Sequence, residues 1–137
     1  MPTTTDADVV ADQVLPLGGP YDPEAIIAAA HTIAELVRRL NHATFDNGAF
    51  QYPAQLSNTV GAIRDAVVRL DQLFNQLDNH LVQFAQDPAL YANRSDVATE
   101  VATARSALSA AAHIAGDLDA AMKTACSSLN RLGLNDD

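Results

Sequence analysis

The side chains able to do chemistry are few, and their spacing argues against a reaction centre. Glutamate occurs three times, at Glu24, Glu35 and Glu100. None stands in the Glu-x-x-His arrangement with which helical bundles hold two metal ions. The four histidines, His31, His42, His80 and His113, do not converge: on an antiparallel pairing of the long helices, His80 and His113 fall roughly 18 Å apart. Asp46-Asn47-Gly48 opens like a calcium loop, but the later oxygen ligands and the closing Glu are missing. Cys126 lies mid-helix with no histidine in sequence reach, where nothing depresses a thiol pKa, so it reads as a half-buried free thiol. Gly18-Gly19 is flanked by prolines and reads as a linker, not a phosphate loop. The expectation is a protein with no catalytic residues, no cofactor and no metal.

Composition supports that expectation. The chain has 137 residues, of which 48% are hydrophobic and only 5% aromatic, with no tryptophan. Twenty-six alanines favour helices and suit sheets badly. One cysteine excludes a disulfide scaffold and a Cys-ligated zinc module. A formal charge of −9 repels a phosphate backbone, so nucleic acid is not an expected partner. The longest purely apolar run, Ala25 to Ala30, is far short of the roughly 18 residues a membrane span needs. Met1 to Asp12 carries no positive region, and the chain reads as cytoplasmic. Asn93-Arg94-Ser95 fits a glycosylation sequon, a match common by chance.

The elements follow from periodicity. Residues 1–20 form an arm or linker, with a turn or two of helix around Val9, Val10, Val14 and Leu15, broken by Pro16-Leu17-Gly18-Gly19-Pro20. Residues 21–134 form a helical bundle domain with helices over about 23–40, 53–86 and 96–132, and 135–137 form a tail. Asp22-Pro23-Glu24 is a strong helix start. Ile26, Ala29, Ile33, Leu36 and Leu40 then mark one face. In the second helix Leu56, Val60, Ile63, Val67, Leu70, Phe74, Leu77, Leu81 and Phe84 alternate steps of four and three without an error. Such a 3.5-residue average specifies a left-handed, coiled-coil-like seam. The third helix repeats it from Val97 through Leu132, and Gly133 is the expected cap. The fold class is therefore all-α: an antiparallel long-helix hairpin with a shorter N-terminal helix, a three-helix bundle.

This arrangement leaves a geometric gap. A short first helix beside residues 53–70 covers half the hairpin. The other half, built from Phe74, Leu77, Leu81, Val82, Phe84, Val97, Val101 and Leu108, becomes a two-helix layer that cannot exclude water from both sides. Either the N-terminal arm or a second chain must cover it, and a two-fold homodimer making a four-helix layer is the simplest construction. These eight residues are the expected association surface. A non-catalytic, self-associating assembly or regulatory protein is the favoured reading. A bundle holding an apolar small molecule between Phe74, Leu77 and Val101 is the alternative. Six of the eight basic residues, Arg38, Arg39, Arg64, Arg69, Lys123 and Arg131, fall in the covered half. They form a weak basic patch, through which a nucleic-acid-associated role is a further alternative, although Asp65, Asp71, Asp117 and Asp119 interleave with it.

The run Tyr52-Pro53-Ala54-Gln55-Leu56, continued by Leu70-Asp71-Gln72-Leu73 and Asp87-Pro88 and by the Ala-rich helix ending Leu132-Gly133, resembles a loose group of small helical actinobacterial proteins. The resemblance covers about residues 50 to 134 and implies a location near plasmid-transfer or mobile-element genes, with no assigned activity. As a small acidic hairpin the chain also resembles the secreted helical-hairpin proteins of type VII systems, but it departs from them in lacking the tryptophan of their Trp-x-Gly turn. Arg38-Arg39-Leu40-Asn41-His42 is similar to the Arg…His motif of HEPN-type helical ribonucleases, with a spacing that is too short.

Overall fold

Capping chemistry sets where the helices begin. A computed structural model describes residues 4–135, and among these every regular element is helical: α1 (Thr4–Val14), α2 (Pro23–Thr44), α3 (Pro53–Val67), α4 (Leu70–Ala85) and α5 (Val97–Leu129). Asp22 caps α2 by accepting from the Ala25 amide at 2.8 Å, with Pro23 just inside the helix. The Gln55 side chain reaches back to accept from the amides of Gln51 and Tyr52 and so fixes the start of α3. At α5, Asp96 accepts from the Thr99 amide at 2.8 Å and from its hydroxyl at 2.7 Å. These bonds hold the Asp96 carboxyl below its usual range.

The chain divides into two compact units, Met1–Ala49 and Phe50–Asp137. The first contains α1 and α2, which touch one another. The arm expected over 1–20 holds a helix of three turns where one or two were expected. Its residues 1–3, like 136 and 137 of the expected tail, lie outside the described residues. The α2 helix runs one turn past the expected residue 40, and Thr44 closes that turn by donating its hydroxyl to the Leu40 carbonyl at 2.7 Å. No residue of α2 is buried.

In the second unit α3 and α4 both pack on α5. Three polar pairs fix the direction: the Ser57 hydroxyl donates to Asn130 Oδ1, Arg64 Nε to Asp119 Oδ1 at 2.9 Å, and Arg105 Nε to Asp78 Oδ1 at 2.9 Å. Numbers rise on one side as they fall on the other, so α5 runs antiparallel to α3 and α4. The turn between them is held by Asp87, which accepts from the amides of Ala89 and Leu90, and Arg94 takes the left-handed conformation at φ 64°. Among the described residues Val67 and Ala115, at 7% and 5% exposure, are the buried apolar ones, and Ser57 is the buried polar one.

The sequence predicts one helix over 53–86, and the structure has two, separated at Val68 and Arg69. The cause is local. The Arg69 guanidinium donates to the Asp65 carbonyl, which the Arg69 amide would donate to in an unbroken helix, and that amide bonds instead to the Ala66 carbonyl at 3.2 Å. The ladder slips by one residue while both residues keep right-handed helical angles, and the apolar repeat continues in phase. The end of α5 also differs: it closes at Leu129 with Asn130 as cap, so Gly133 does not cap it. There the last amides bond three residues back, as in Arg131 to Ser128 and Leu132 to Leu129, while the Asn130 side chain is engaged by Ser57.

Because Ala115 lets α5 approach α3 closely, Ala115→Leu is expected to overpack the hairpin and to destabilise it by about 1–3 kcal/mol. The measurement is the urea midpoint followed by circular dichroism, and an unchanged midpoint would mean the helices do not close at this level.

Candidate functional site

The apolar seam on α3 and α4 consists of two columns, each repeating every seven residues. Val60, Val67, Phe74 and Leu81 form the column turned to α5, and each is buried or half-buried. On α5 the matching column is Val101, Leu108, Ala115, Met122 and Leu129, likewise buried or half-buried. Residues three before or four after these columns supply the cross-helix polar pairs: Ser57, Arg64 and Asp78 on one side, Arg105 and Asp119 on the other. That shared flank is therefore stapled by polar bonds.

The opposite flank holds the second columns, three after or four before the first. On α3 and α4 they are Leu56, Ile63, Leu70, Leu77 and Phe84; on α5 they are Val97, Ala104, Ala111, Leu118 and Ala125. Since the stapled flanks of the two sides coincide, these flanks coincide too, and they form one apolar face along the hairpin. Leu77 is 43% exposed, Phe84 61% and Leu118 46%, with Ile114 at 63% on the edge. Leu56, Ile63 and Leu73 are exposed as well. Neither column contains a charged residue, and Asp65, Asp71, Asp78, Asp117 and Asp119 all lie off them.

The eight residues expected to form the association surface separate accordingly. Leu77, Phe84 and Val97 are in the columns of the open face. Phe74, Leu81, Val82, Val97, Val101 and Leu108 are half-buried, Phe74, Leu81, Val101 and Leu108 being in the columns that meet between the helices. The open face is also longer than the distal half, since it continues through Ile63, Leu118 and Leu56. Sequence reasoning missed these residues because it treated the seam as one stripe. Splitting the repeat by sevens would have separated them.

Of the six residues of the expected basic patch, four are engaged within their own unit. Arg38 and Arg39 both bond to Glu35, at 2.7 and 2.9 Å, within α2. Arg64 is paired with Asp119, and Arg69 is spent on the Asp65 carbonyl of α3. Lys123 and Arg131 are exposed in the second unit. A polar cleft of about 410 Å³ between α4 and α5 is lined by Asp71, Asn75, Ala112, His113, Gly116 and Asp117. There His113 Nε2 stands 3.9 Å from Asp117 Oδ2. None of Phe74, Leu77 or Val101 lines it. No group of three or more His, Cys, Asp or Glu residues is placed to hold a metal among the described residues. Among them, too, no helix is long and apolar enough to cross a membrane. No family model, no curated protein and no solved structure matches the chain.

The Glu35 cluster gives a direct check on how these arginines are used. Hydrogen bonds from Arg38 and then Arg39 lower the Glu35 carboxyl from 4.5 to about 2. A depressed carboxylate stabilises the fold fully above its ordinary value and loses that contribution as pH falls toward about 2. An NMR titration is expected to place Glu35 near 2, and Arg38→Ala to move it back toward 4.5. A midpoint already near 4.5 in the unmutated chain would show that the arginines are not held by Glu35.

Proposed function

We propose that this chain is a non-catalytic helical assembly protein that works by association, and that the open apolar face of the hairpin is its binding surface. The hairpin of α3, α4 and α5 is then completed to a four-helix layer by association. The observation that carries this reading is the asymmetry of the two flanks. One is closed by three polar pairs, while the other exposes Leu77, Phe84, Ile114 and Leu118 with no charge in its columns.

Magnitudes support association over an idle surface. Full burial of a large aliphatic or aromatic side chain stabilises by about 1.5–3 kcal/mol, so completing the burial of six half-open ones gives roughly 5–9 kcal/mol per face. Two such faces meeting gain about twice that, against roughly 4–15 kcal/mol for lost freedom on association. The favoured partner is another copy of the chain or a protein with an apolar helical face. Catalysis, a cofactor and a membrane have no part in this reading, and nucleic acid is disfavoured by the charge of −9.

Mass in solution, from light scattering behind size exclusion over a tenfold concentration range, is expected to show a dimer. Leu77→Asp with Phe84→Asp is expected to weaken it at least tenfold while the helical signal stays intact. Phe74→Asp with Leu81→Asp, facing α5, is expected instead to unfold the hairpin. A double variant at 77 and 84 that dimerises like the unmutated protein would remove the open face from consideration.

A further inference from the structure

Resting on that reading, we infer that the occupant of the open face is a second copy of the same face. The two copies are related by a two-fold axis parallel to the helices, so that α3 and α4 of each lie over α5 of the other. Three features identify the occupant. The columns of the face carry no charge in a chain of net charge −9, so two copies can meet there with their aspartates turned away. From Leu56 to Phe84 the face runs about 42 Å, across two helices each about 10 Å thick. It thus offers roughly 800 Å² per copy, the area a standard stable interface needs. An isologous pairing also needs a self-complementary surface, and this one has large residues along one edge and mostly alanines along the other.

That size difference selects the axis. Within one copy, the Asp78–Arg105 and Arg64–Asp119 pairs set which residues stand level across the hairpin. An axis parallel to the helices preserves those levels and exchanges the sides. Leu77 then meets Ala104 of the second copy, Leu70 meets Ala111 and Leu56 meets Ala125, large against small at three of the five levels, while Ile63 meets Leu118 and Phe84 meets Val97. Every neighbouring pair of helices in the resulting bundle is antiparallel. An axis across the helices would instead stack the large column of α3 and α4 on itself, Ile63 on Leu77 and Leu70 on Leu70, with Ala111 on Ala111 and Ala104 on Leu118 beside them. That holds the helices apart on one side and draws them together on the other.

The test uses the full chain with Cys126→Ser, so that each variant carries one thiol. Leu77→Cys and Ala104→Cys are made separately, mixed, unfolded and refolded together, and oxidised, with mass measured in parallel. The expected result is a disulfide-linked dimer in the 77 with 104 mixture at several-fold higher yield than in either variant alone. Cross-linking of Ile63→Cys with Leu77→Cys in place of that pair would put the axis across the helices and overturn the inference while leaving self-association standing. A dimer lost on Ile33→Asp but kept on Leu77→Asp with Phe84→Asp would move the contact to α2 and overturn it too. A monomer at every concentration would overturn both this inference and self-association, and would leave the face to a different protein.

Discussion

Everything in the second unit depends on which column of each helix is turned inward, and the polar pairs on one flank make that choice. A two-helix layer built from a heptad seam has two apolar columns per helix and one neighbour to cover them. If the seam were centred on the contact, both columns would be partly covered and both flanks would be alike. Arg64–Asp119 and Arg105–Asp78 lie on the same flank and draw it shut. Val60, Val67, Phe74 and Leu81 then face α5, and the other column is turned outward. These ion pairs are partly exposed, and such pairs contribute little to stability. Their weight here is directional, because they distinguish two ways of rolling the helices that bury similar amounts of hydrocarbon.

The all-helical class was legible because alanine content and seven-residue periodicity point the same way, and the helix starts were legible because Asp22-Pro23 and Asp96 have side chains that cap. Interruptions were not. No proline or glycine marks Val68–Arg69; the slip comes from an arginine reaching back to a carbonyl of the preceding turn, and arginines do that without leaving a pattern in the sequence. The expected cap at Gly133 follows a sound rule that does not hold here, since the helix ends at Asn130, which is engaged by Ser57 from the other arm of the hairpin.

That the hairpin carries an apolar seam was legible in the sequence; which of its residues are exposed was not. A two-helix layer over the distal half of the hairpin is what helix count and length predict. The identity of the open residues depends on roll angle, and roll is decided by polar partners that only the folded chain brings together. Phe74 and Phe84 are members of the same periodic series, yet the first is half-buried against α5 and the second is largely open. Periodicity records that both are apolar and carries no sign for inward or outward.

The slip at Val68–Arg69 divides the longer arm of the hairpin into two segments, each with its own tie to α5: Arg64–Asp119 for α3 and Asp78–Arg105 for α4. A continuous helix would have to peel from α5 as one rod, losing both ties before it lost its own hydrogen bonds. Two segments joined at a point where the ladder is already shifted can part from α5 one at a time. Opening of the hairpin would thereby divide into two smaller steps, with the amide protons of α3 and α4 expected to exchange with solvent as separate cooperative units.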